Sequence, residues 1–289
     1  MSEGRSMRVV RSVEEVRAQV RVWRKAGQRI ALVPTMGNLH AGHISLLQLA
    51  RQRGDRVVVS IFVNPLQFGP EEDYARYPRT PDDDIRMLEE AQCDLLFAPG
   101  VDELYAEGGS QRTLVTVRGL SEILCGVVRP GHFDGVATVV AKLFGVVAPD
   151  VAVFGEKDFQ QFRVVQLMTR DLAIPVEVVG APTVRADDGL ALSSRNRYLS
   201  AEDRARAPAV YRSLQEGAAR LRAGVRDFAS IENAGAALLV AAGMKVDYYA
   251  VRDADDLALP SSVTREFVLL TAVRLGNARL IDNLRVPAG

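Results

Sequence analysis

The 289-residue sequence has 36 basic and 36 acidic residues, so its zero net charge favours neither nucleic acid nor an anionic membrane as a partner. Apolar residues make up 48% of the chain, yet no apolar run reaches the roughly 20 residues that span a bilayer. Two cysteines, Cys93 and Cys125, are too few for a disulfide framework or a zinc cluster. The N-terminal segment is polar and lacks the apolar stretch of a secretory signal, which predicts a cytoplasmic protein.

The first part of the chain alternates helix-like and strand-like segments. A capping box of Ser12 and Glu15 begins a helix that ends at Gly27, and Thr80-Pro81 begins another. The other predicted helices are His43–Arg53, Gly135–Val147 and Phe159–Asp171. The predicted strands are Ile30–Val33, Arg56–Val63, Leu95–Ala98, Leu114–Val117, Val151–Phe154 and Val176–Val179.

This alternation predicts an α/β fold with a doubly wound, mainly parallel sheet covered by helices on both faces. After about Val184 the pattern changes to two charged helices, Ala201–Ala223 and Asp227–Ala242, followed by strands with a Gly276-Asn277 turn. We therefore predict a large domain of residues 1–183 and a smaller α+β domain of residues 184–289. In doubly wound sheets, ligands bind beyond the carboxyl ends of the strands.

The segment Pro34–His43, Pro-Thr-Met-Gly-Asn-Leu-His-Ala-Gly-His, lies between a predicted strand and a predicted helix. His40 and His43 are three residues apart and can face one site. Free backbone amides and the positive end of the helix dipole would favour a phosphate chain there. Gly37 and Gly42 would let a ligand approach the backbone. A metal pair is the alternative, although no third ligand is evident in the sequence. A pair of ordinary surface histidines is less expected, because the chain's three histidines all lie in glycine-containing loops.

The third histidine, His132, lies in a rigid Arg-Pro-Gly-His-Phe-Asp-Gly turn that begins with Arg129, whose guanidinium can bridge two anionic oxygens. Gly155-Glu156-Lys157-Asp158 forms another junction between a strand and a helix, and it carries one of only four lysines. An ammonium there suits phosphate, and a carboxylate suits a ribose hydroxyl. Each motif taken alone is also typical of a solvated turn.

Two further kinds of polar residue occur in loops. Leu192-Ser193-Ser194-Arg195-Asn196 can surround a triphosphate, although it is also common turn material. Gln67 and Gln161 can bind hydroxyl and carboxylate groups without adding charge. A nucleophile elbow, a Walker P-loop and the three-glycine dinucleotide fingerprint are all absent from the sequence, so serine hydrolysis and those nucleotide sites are not predicted.

Five motifs, in order and at the expected spacing from about Arg29 to Tyr198, resemble those of the pantothenate synthetase family. They are Pro-Thr-Met-Gly with His-x-Gly-His, Phe-Val-Asn-Pro-x-Gln-Phe, Arg-Pro-Gly-His-Phe-Asp-Gly-Val, Gly-Glu-Lys-Asp-x-Gln-Gln and Ser-Ser-Arg-Asn. One departure is Leu192, which stands where the family usually has methionine. A backbone contact to adenine should survive that exchange.

The resemblance implies a Rossmann-like nucleotidyltransferase fold with a C-terminal lid domain, and a homodimer. It implies that ATP, with Mg²⁺ bound through its phosphates, activates (R)-pantoate as pantoyl-adenylate with release of pyrophosphate. β-Alanine then attacks to give pantothenate and AMP, the last step of pantothenate synthesis. Nucleic acid and membranes are not expected partners.

The resemblance also implies roles for individual residues. His43, the usual candidate proton donor, is implied in catalysis together with His40, Lys157 and Arg195. The residues implied to bind ATP are Met36, Gly37, His40, Gly42, His43, Gly155, Lys157, Asp158, Val184, Leu192, Ser193, Ser194 and Arg195. The residues implied to bind pantoate are Gln67, Gln161, Met36, Phe62, Asn64, Arg129 and His132.

Three other classes of protein are alternatives to this family. A nucleotidyltransferase that adenylylates a phosphate ester would share the histidine pair but would need extra cations in place of Gln67 and Gln161. An aminoacyl-tRNA synthetase core would carry an anticodon-binding extension or a basic stripe, and the sequence has neither. A non-catalytic nucleotide-sensing module could carry the same motifs, and isotope exchange would distinguish it.

Overall fold

The computed structural model describes residues 7–70, 72–105 and 112–288. The chain divides into two compact units, the first formed by Met1–Glu156 and Val164–Pro182. The second is formed by Lys157–Arg163 and Thr183–Gly289. The segment Lys157–Arg163, which precedes the boundary expected from the sequence, therefore groups with the second unit.

The first unit contains a six-stranded parallel sheet with the strand order β1-β4-β3-β2-β5-β6. Its central strands consist almost entirely of buried apolar residues, as expected for a sheet with helices on both faces. The doubly wound prediction is confirmed. The strands are β1 (Arg8–Val10), β2 (Ile30–Thr35), β3 (Arg56–Ile61), β4 (Leu95–Phe97), β5 (Val151–Gly155) and β6 (Glu177–Ala181).

The helices follow the strands along the chain. The predicted capping box is present at the first helix, where Ser12 accepts from Glu15 N–H and the Glu15 carboxylate accepts from Ser12 N–H. The helices are α1 (Val13–Lys25), α2 (Ala41–Arg53), α3 (Pro81–Glu90), α4 (Val101–Leu104), α5 (Cys125–Val128), α6 (His132–Val147) and α7 (Phe159–Asp171). On one face of the sheet, Leu47 and Leu88 pack with Val33 and Val59 in a shared core.

One predicted strand is wrong. Leu114–Val117 forms no strand, and the Val115 N–H donates to Thr138 Oγ1 of α6 (2.9 Å) instead of to a neighbouring strand. Its β-branched composition resembles that of a strand, but a side-chain hydroxyl satisfies its backbone. The three-residue strand β1 and the four-residue helices α4 and α5 were not predicted, because segments this short show no periodicity.

The second unit contains a three-stranded antiparallel sheet of β7 (Lys245–Asp253), β8 (Glu266–Leu275) and β9 (Ala278–Pro287). The predicted turn at Gly276-Asn277 joins β8 to β9. The predicted helix Ala201–Ala223 is instead two helices, α8 (Ala201–Arg206) and α9 (Ala209–Arg222). Pro208 separates them, because proline lacks the N–H that a continuous helix requires. The last helix, α10, is Phe228–Ala241.

The second unit has its own hydrophobic core. Leu214 and Leu221 of α9 and Ile231 of α10 pack against Leu269 and Val273 of β8. Among the described residues, no helix is long and apolar enough to cross a membrane.

Candidate active site

The two histidines of the first motif lie side by side at a helix start. β2 ends at Thr35, and α2 begins at Ala41 with His40 as its N-cap. The Gly42 N–H donates to His40 Nδ1 (3.1 Å), and the His40 N–H donates to His43 Nδ1 (3.3 Å). The two ring centroids are 4.1 Å apart. The spacing of three residues thus brings both rings to one place, as predicted.

These hydrogen bonds assign the tautomers of the histidine pair. A ring nitrogen that accepts an N–H carries no proton, so His40 and His43 are both neutral with the proton on Nε2. The amides of Gly42 and His43 bond to Nδ1 and to the carbonyl oxygen of His40, so the expectation of unpaired amides fails for these two. An anion at this helix start would therefore have to be bound by donors other than these two amides.

A buried carboxylate from α3 holds the loop that carries the histidines. Asp84 is 2% exposed and accepts from the N–H groups of Asn38 (2.9 Å) and Leu39 (2.8 Å). Gly37 has φ of +78°, and a Cβ there would lie 2.9 Å from Asp84 Oδ2. Asp84 was not among the predicted site residues, because these two amides lie 45 and 46 residues away from it in sequence.

The loop after β3 fixes the orientation of one glutamine. Asn64 Nδ2 donates to Gln67 Oε1 (3.0 Å) and to the Gly135 carbonyl (3.1 Å), while Tyr105 Oη donates to Asn64 Oδ1 (2.8 Å). Burial raises the pKa of Tyr105, so its hydroxyl remains a donor. This bond turns Oε1 of the Gln67 amide towards Asn64, so a group on the other side of the amide would meet the N–H donors of Nε2. Tyr105 was missed because no sequence pattern links it to Asn64.

Arg129 forms an internal ion pair. Its Nε donates to Glu72 Oε1 (2.7 Å), its Nη2 to the Gln67 carbonyl (3.1 Å) and its Nη1 to His132 Nε2 (3.0 Å). His132 Nδ1 donates to the same Gln67 carbonyl (2.8 Å), so His132 is the neutral tautomer protonated at Nδ1. The anionic oxygens that Arg129 bridges are therefore those of Glu72, and the cluster supports Gln67.

The ion pair of Glu72 with Arg129 should contribute stability that is lost in acid. Burial acts to raise its pKa, but the hydrogen bonds and charge of Arg129 outweigh burial and lower the pKa below the ordinary value. The stabilisation is complete above the pKa that Glu72 has in the unfolded chain, about 4.3. It is lost as pH falls through the lower pKa of Glu72 in the folded protein. Urea unfolding at neutral pH and at about pH 3 should show a smaller loss of unfolding free energy on acidification for Glu72→Gln than for wild type.

The exposed Glu89 provides the control for this measurement. Glu89→Gln should lose stability on acidification as wild type does. If wild type and Glu72→Gln lose the same unfolding free energy on acidification, the Glu72–Arg129 pair has no stabilising role.

The residues of the first unit lie at the carboxyl ends of three adjacent strands. The histidine loop follows β2, the Gln67 loop follows β3, and Gly155 ends β5. β2 lies between β3 and β5, so the strand order reverses there: β3 and β4 follow on one side of β2, and β5 and β6 on the other. Doubly wound sheets bind ligands at such a point. Two apolar candidates accompany these loops: Met36 follows β2, and Phe62 follows β3 with its ring 5.8 Å from that of Tyr105.

The second unit gathers another group of predicted residues. Lys157 and Ser193 line one small cavity together with Asn196 and Asp282. The Lys157 side chain is 18% exposed, and its Nζ lies 3.6 Å from Asp158 Oδ1. Two residues that the sequence predicted to bind phosphate, 36 positions apart, thus line the same cavity of the second unit.

Hydrogen bonds within the loops beside this cavity hold their conformation. Ser193 Oγ accepts from the Arg195 N–H (3.3 Å) and caps the 3-10 turn Ser194–Tyr198. The Leu192 N–H donates to the Val184 carbonyl (2.9 Å). The expected base contact would therefore use the other two groups, the Val184 N–H and the Leu192 carbonyl. Gln161 is partly exposed in the first turn of α7.

Comparison with known proteins assigns the family. The family model described as pantoate-beta-alanine ligase matches residues 8–285. A relative named pantothenate synthetase from Pseudomonas putida (strain GB-1) is 57% identical over 278 residues, which cover 96% of this chain and 97% of its own. Another of that name from Methylococcus capsulatus is 53% identical, with coverage of 97% and 98%.

Solved structures agree with the sequence relatives. The crystal structure of pantothenate synthetase from Thermus thermophilus matches with a TM-score of 0.90 at 50% identity, covering 96% of this chain and 99% of its own. Pantoate-beta-alanine ligase from Francisella tularensis, complexed with beta-gamma ATP and beta-alanine, matches with a TM-score of 0.80 at 33% identity, covering 96% and 97%. This chain belongs to the pantoate–β-alanine ligase family of enzymes.

Proposed function

We propose that this chain condenses (R)-pantoate with β-alanine to form pantothenate at the expense of ATP. The pantoate carboxylate attacks the α-phosphorus of ATP, giving pantoyl-adenylate and pyrophosphate. The amine of β-alanine then attacks the acyl carbon, loses a proton and displaces AMP. The family assignment supports this reaction, as does the Francisella tularensis relative with its nucleotide and beta-alanine.

The observation that favours a carboxylic acid as the acceptor is the neutral donor site at Gln67. Its Nε2 group can bind a carboxylate or a hydroxyl without adding charge. Arg129, which contacts the Gln67 carbonyl, is neutralised by Glu72. A phosphate-ester acceptor would need positive charge there, so this arrangement favours pantoate. In our proposal Gln161, Met36 and Phe62 complete the pantoate site. Asn64, Arg129 and His132 hold Gln67 in place.

Adenylation needs positioning and charge neutralisation more than a base, because the attacking carboxylate is already ionised at neutral pH. In our proposal His40 and His43 donate from Nε2–H to the phosphates, with His43 as the candidate proton donor. Lys157 supplies positive charge as negative charge develops on pyrophosphate. Further phosphate donors are Ser193, Ser194 and Arg195.

The nucleoside is proposed to bind at Gly155 and in the second unit. Asp158 would accept from ribose hydroxyls. The Val184 N–H and the Leu192 carbonyl form a donor–acceptor pair that suits the edge of adenine. Gly37 and Gly42 line the approach to the histidines.

Magnesium is proposed to accompany ATP. Among the described residues, no group of three or more His, Cys, Asp or Glu could hold a metal ion. As the family resemblance implies, the cation would be bound chiefly through the phosphate oxygens of ATP, whose charge it would neutralise. We also propose a homodimer in the cytoplasm, with the second unit closing as a lid, as the family resemblance implies.

Gly155→Ala should weaken ATP use without harming the fold. A Cβ at Gly155 would approach Leu46 Cδ2 no closer than 3.9 Å, which is ordinary contact. One extra methyl group in a filled pocket costs about 1–3 kcal/mol, so KM for ATP should rise roughly ten- to a hundredfold. Steady-state kinetics should show a much smaller change in KM for pantoate and an unchanged Tm. An unchanged KM for ATP would place the nucleotide elsewhere.

The proposed function is tested by isotope exchange between ATP and pyrophosphate. We expect exchange that depends on pantoate and proceeds without β-alanine, because adenylation precedes the amine attack. Exchange without pantoate, or no exchange in the presence of pantoate and Mg²⁺, would refute the proposed reaction. Nucleotide binding with no exchange would indicate a sensing module.

A further inference from the structure

Buried and exposed residues alternate along the strand β9, and one position departs from this alternation. Residues of this strand whose side chains face outward are partly or fully exposed, except Asn283, which is 6% exposed. A buried amide is expected to have specific hydrogen-bond partners, because an unpaired one is costly. The partners of Asn283 therefore indicate what this side chain does.

Asn283 holds the backbone of Lys157. Its Nδ2 donates to the Lys157 carbonyl (2.9 Å), and the two residues are 126 positions apart. Both lie in the second unit. The contact fixes the chain at the residue whose ammonium is proposed to bind the phosphates.

The backbone of Asn283 is held in turn by an ion pair whose carboxylate is buried and whose arginine is partly buried. Asp282 accepts from Arg185 in a bidentate geometry (2.6 and 2.9 Å), and its Oδ1 also accepts from the Asn283 N–H (2.8 Å). Arg185 Nη2 donates to the Asn283 carbonyl (3.2 Å), and its guanidinium carbon lies 3.7 Å from the centre of the Tyr211 ring. Planar stacking and bidentate pairing restrict Arg185 to one orientation.

We propose that Asn283 is a positioning residue for Lys157, supported by the Asp282–Arg185 pair. This inference rests on the proposed function, in which the Lys157 ammonium stabilises the phosphates. The Asn283 amide fixes the Lys157 backbone, so that the ammonium stays at the cavity that Lys157 shares with Ser193. A displacement of the ammonium lowers catalysis because positioning is a large part of its effect.

A double-mutant cycle on pantoate-dependent ATP–pyrophosphate exchange tests the proposal. Asn283→Ala should lower the exchange rate about tenfold in the otherwise wild-type enzyme, through the loss of one buried hydrogen bond. Lys157→Ala keeps the backbone carbonyl that Asn283 binds, but removes the ammonium. If Asn283 acts through the ammonium, adding Asn283→Ala to the Lys157→Ala enzyme should lower its exchange rate by a further factor of less than about two.

The alternatives give different results in the same cycle. If Asn283 only stabilises the fold, its replacement should cost the same factor in both backgrounds, since the bond to the carbonyl is present in each. Equal factors, or no loss in the wild-type background, would overturn the proposal. Asn233, which is exposed on α10, is the matched control, and Asn233→Ala should leave exchange unchanged.

A conservative variant adds a second readout. In Asn283→Asp a carboxylate faces the Lys157 carbonyl, and only its protonated form can donate to that oxygen. The exchange rate relative to wild type should therefore rise as pH falls. A ratio that does not change with pH would contradict the donor role of Asn283. Absence of exchange in wild type would instead refute the proposed function, so the two failures are distinguishable.

Discussion

Replacing Lys157 with alanine should lower the exchange and overall reaction rates by roughly a hundred- to a thousandfold, as expected when one preorganised donor to developing charge is removed. The fold should survive. The Lys157 side chain is partly exposed, and its contact with Asp158 is 3.6 Å long, with Asp158 46% exposed. A surface ion pair of this kind contributes little to stability.

Steady-state kinetics and thermal unfolding of three variants check this prediction. Lys157→Arg should restore little activity, because a planar guanidinium does not replace a compact ammonium. Lys25→Ala is the control, since Lys25 is exposed at the end of α1. Near-normal turnover in a folded Lys157→Ala enzyme would remove Lys157 from the mechanism.

Gly135→Ala should lower the use of pantoate roughly a hundredfold. A Cβ at Gly135 would lie 2.4 Å from the Leu66 carbonyl oxygen and 2.6 Å from the Gln67 nitrogen, so the turn Pro65–Gln67 must move. The Gly135 carbonyl also accepts from Asn64, which holds the Gln67 amide. A displacement of about 1 Å at a substrate-binding group can cost about a hundredfold in rate.

Gly145→Ala is the control in the same helix. Gly145 is exposed, and an added Cβ would meet nothing within 4 Å, so this variant should retain activity. For Gly135→Ala, kcat/KM for pantoate should fall more than the affinity for ATP, which equilibrium binding can report. If both fall equally, or if neither changes, the packing of α6 does not position Gln67 for pantoate.

The sequence predicted the features that depend on local pattern. Buried apolar strands between helices indicated the parallel sheet, and Gly276-Asn277 indicated the hairpin of the second unit. The three-residue spacing of His40 and His43 placed both rings at one helix start. Each of these features is set by residues that are close in the chain.

The features that the sequence did not reveal depend on distant partners. Arg129 lies in a turn motif that suggested a ligand-binding arginine. Its guanidinium instead forms an ion pair with Glu72, 57 positions away. Tyr105 reaches Asn64 across 41 positions, and Asn283 reaches Lys157 across 126. Periodicity and motif spacing carry no information about such pairs, because the fold alone brings them together.

The same reason explains the corrected elements. Leu114–Val117 has the β-branched composition of a strand, but a hydroxyl of α6 satisfies part of its backbone. Free backbone amides at the helix start were expected to bind an anion, but the amides of Gly42 and His43 already donate to the His40 side chain and carbonyl. In both places a hydrogen bond within the protein replaces the one that the pattern assigned to a strand or to a ligand.

A crystal structure of this chain with pantoate and a non-hydrolysable ATP analogue tests the central claim most directly. We predict the triphosphate within hydrogen-bond distance of Nε2 of His40 and His43 and of Lys157 Nζ, with the pantoate carboxylate at Gln67 Nε2. A nucleotide bound away from the histidine pair, or pantoate bound to other groups than Gln67, would contradict the account.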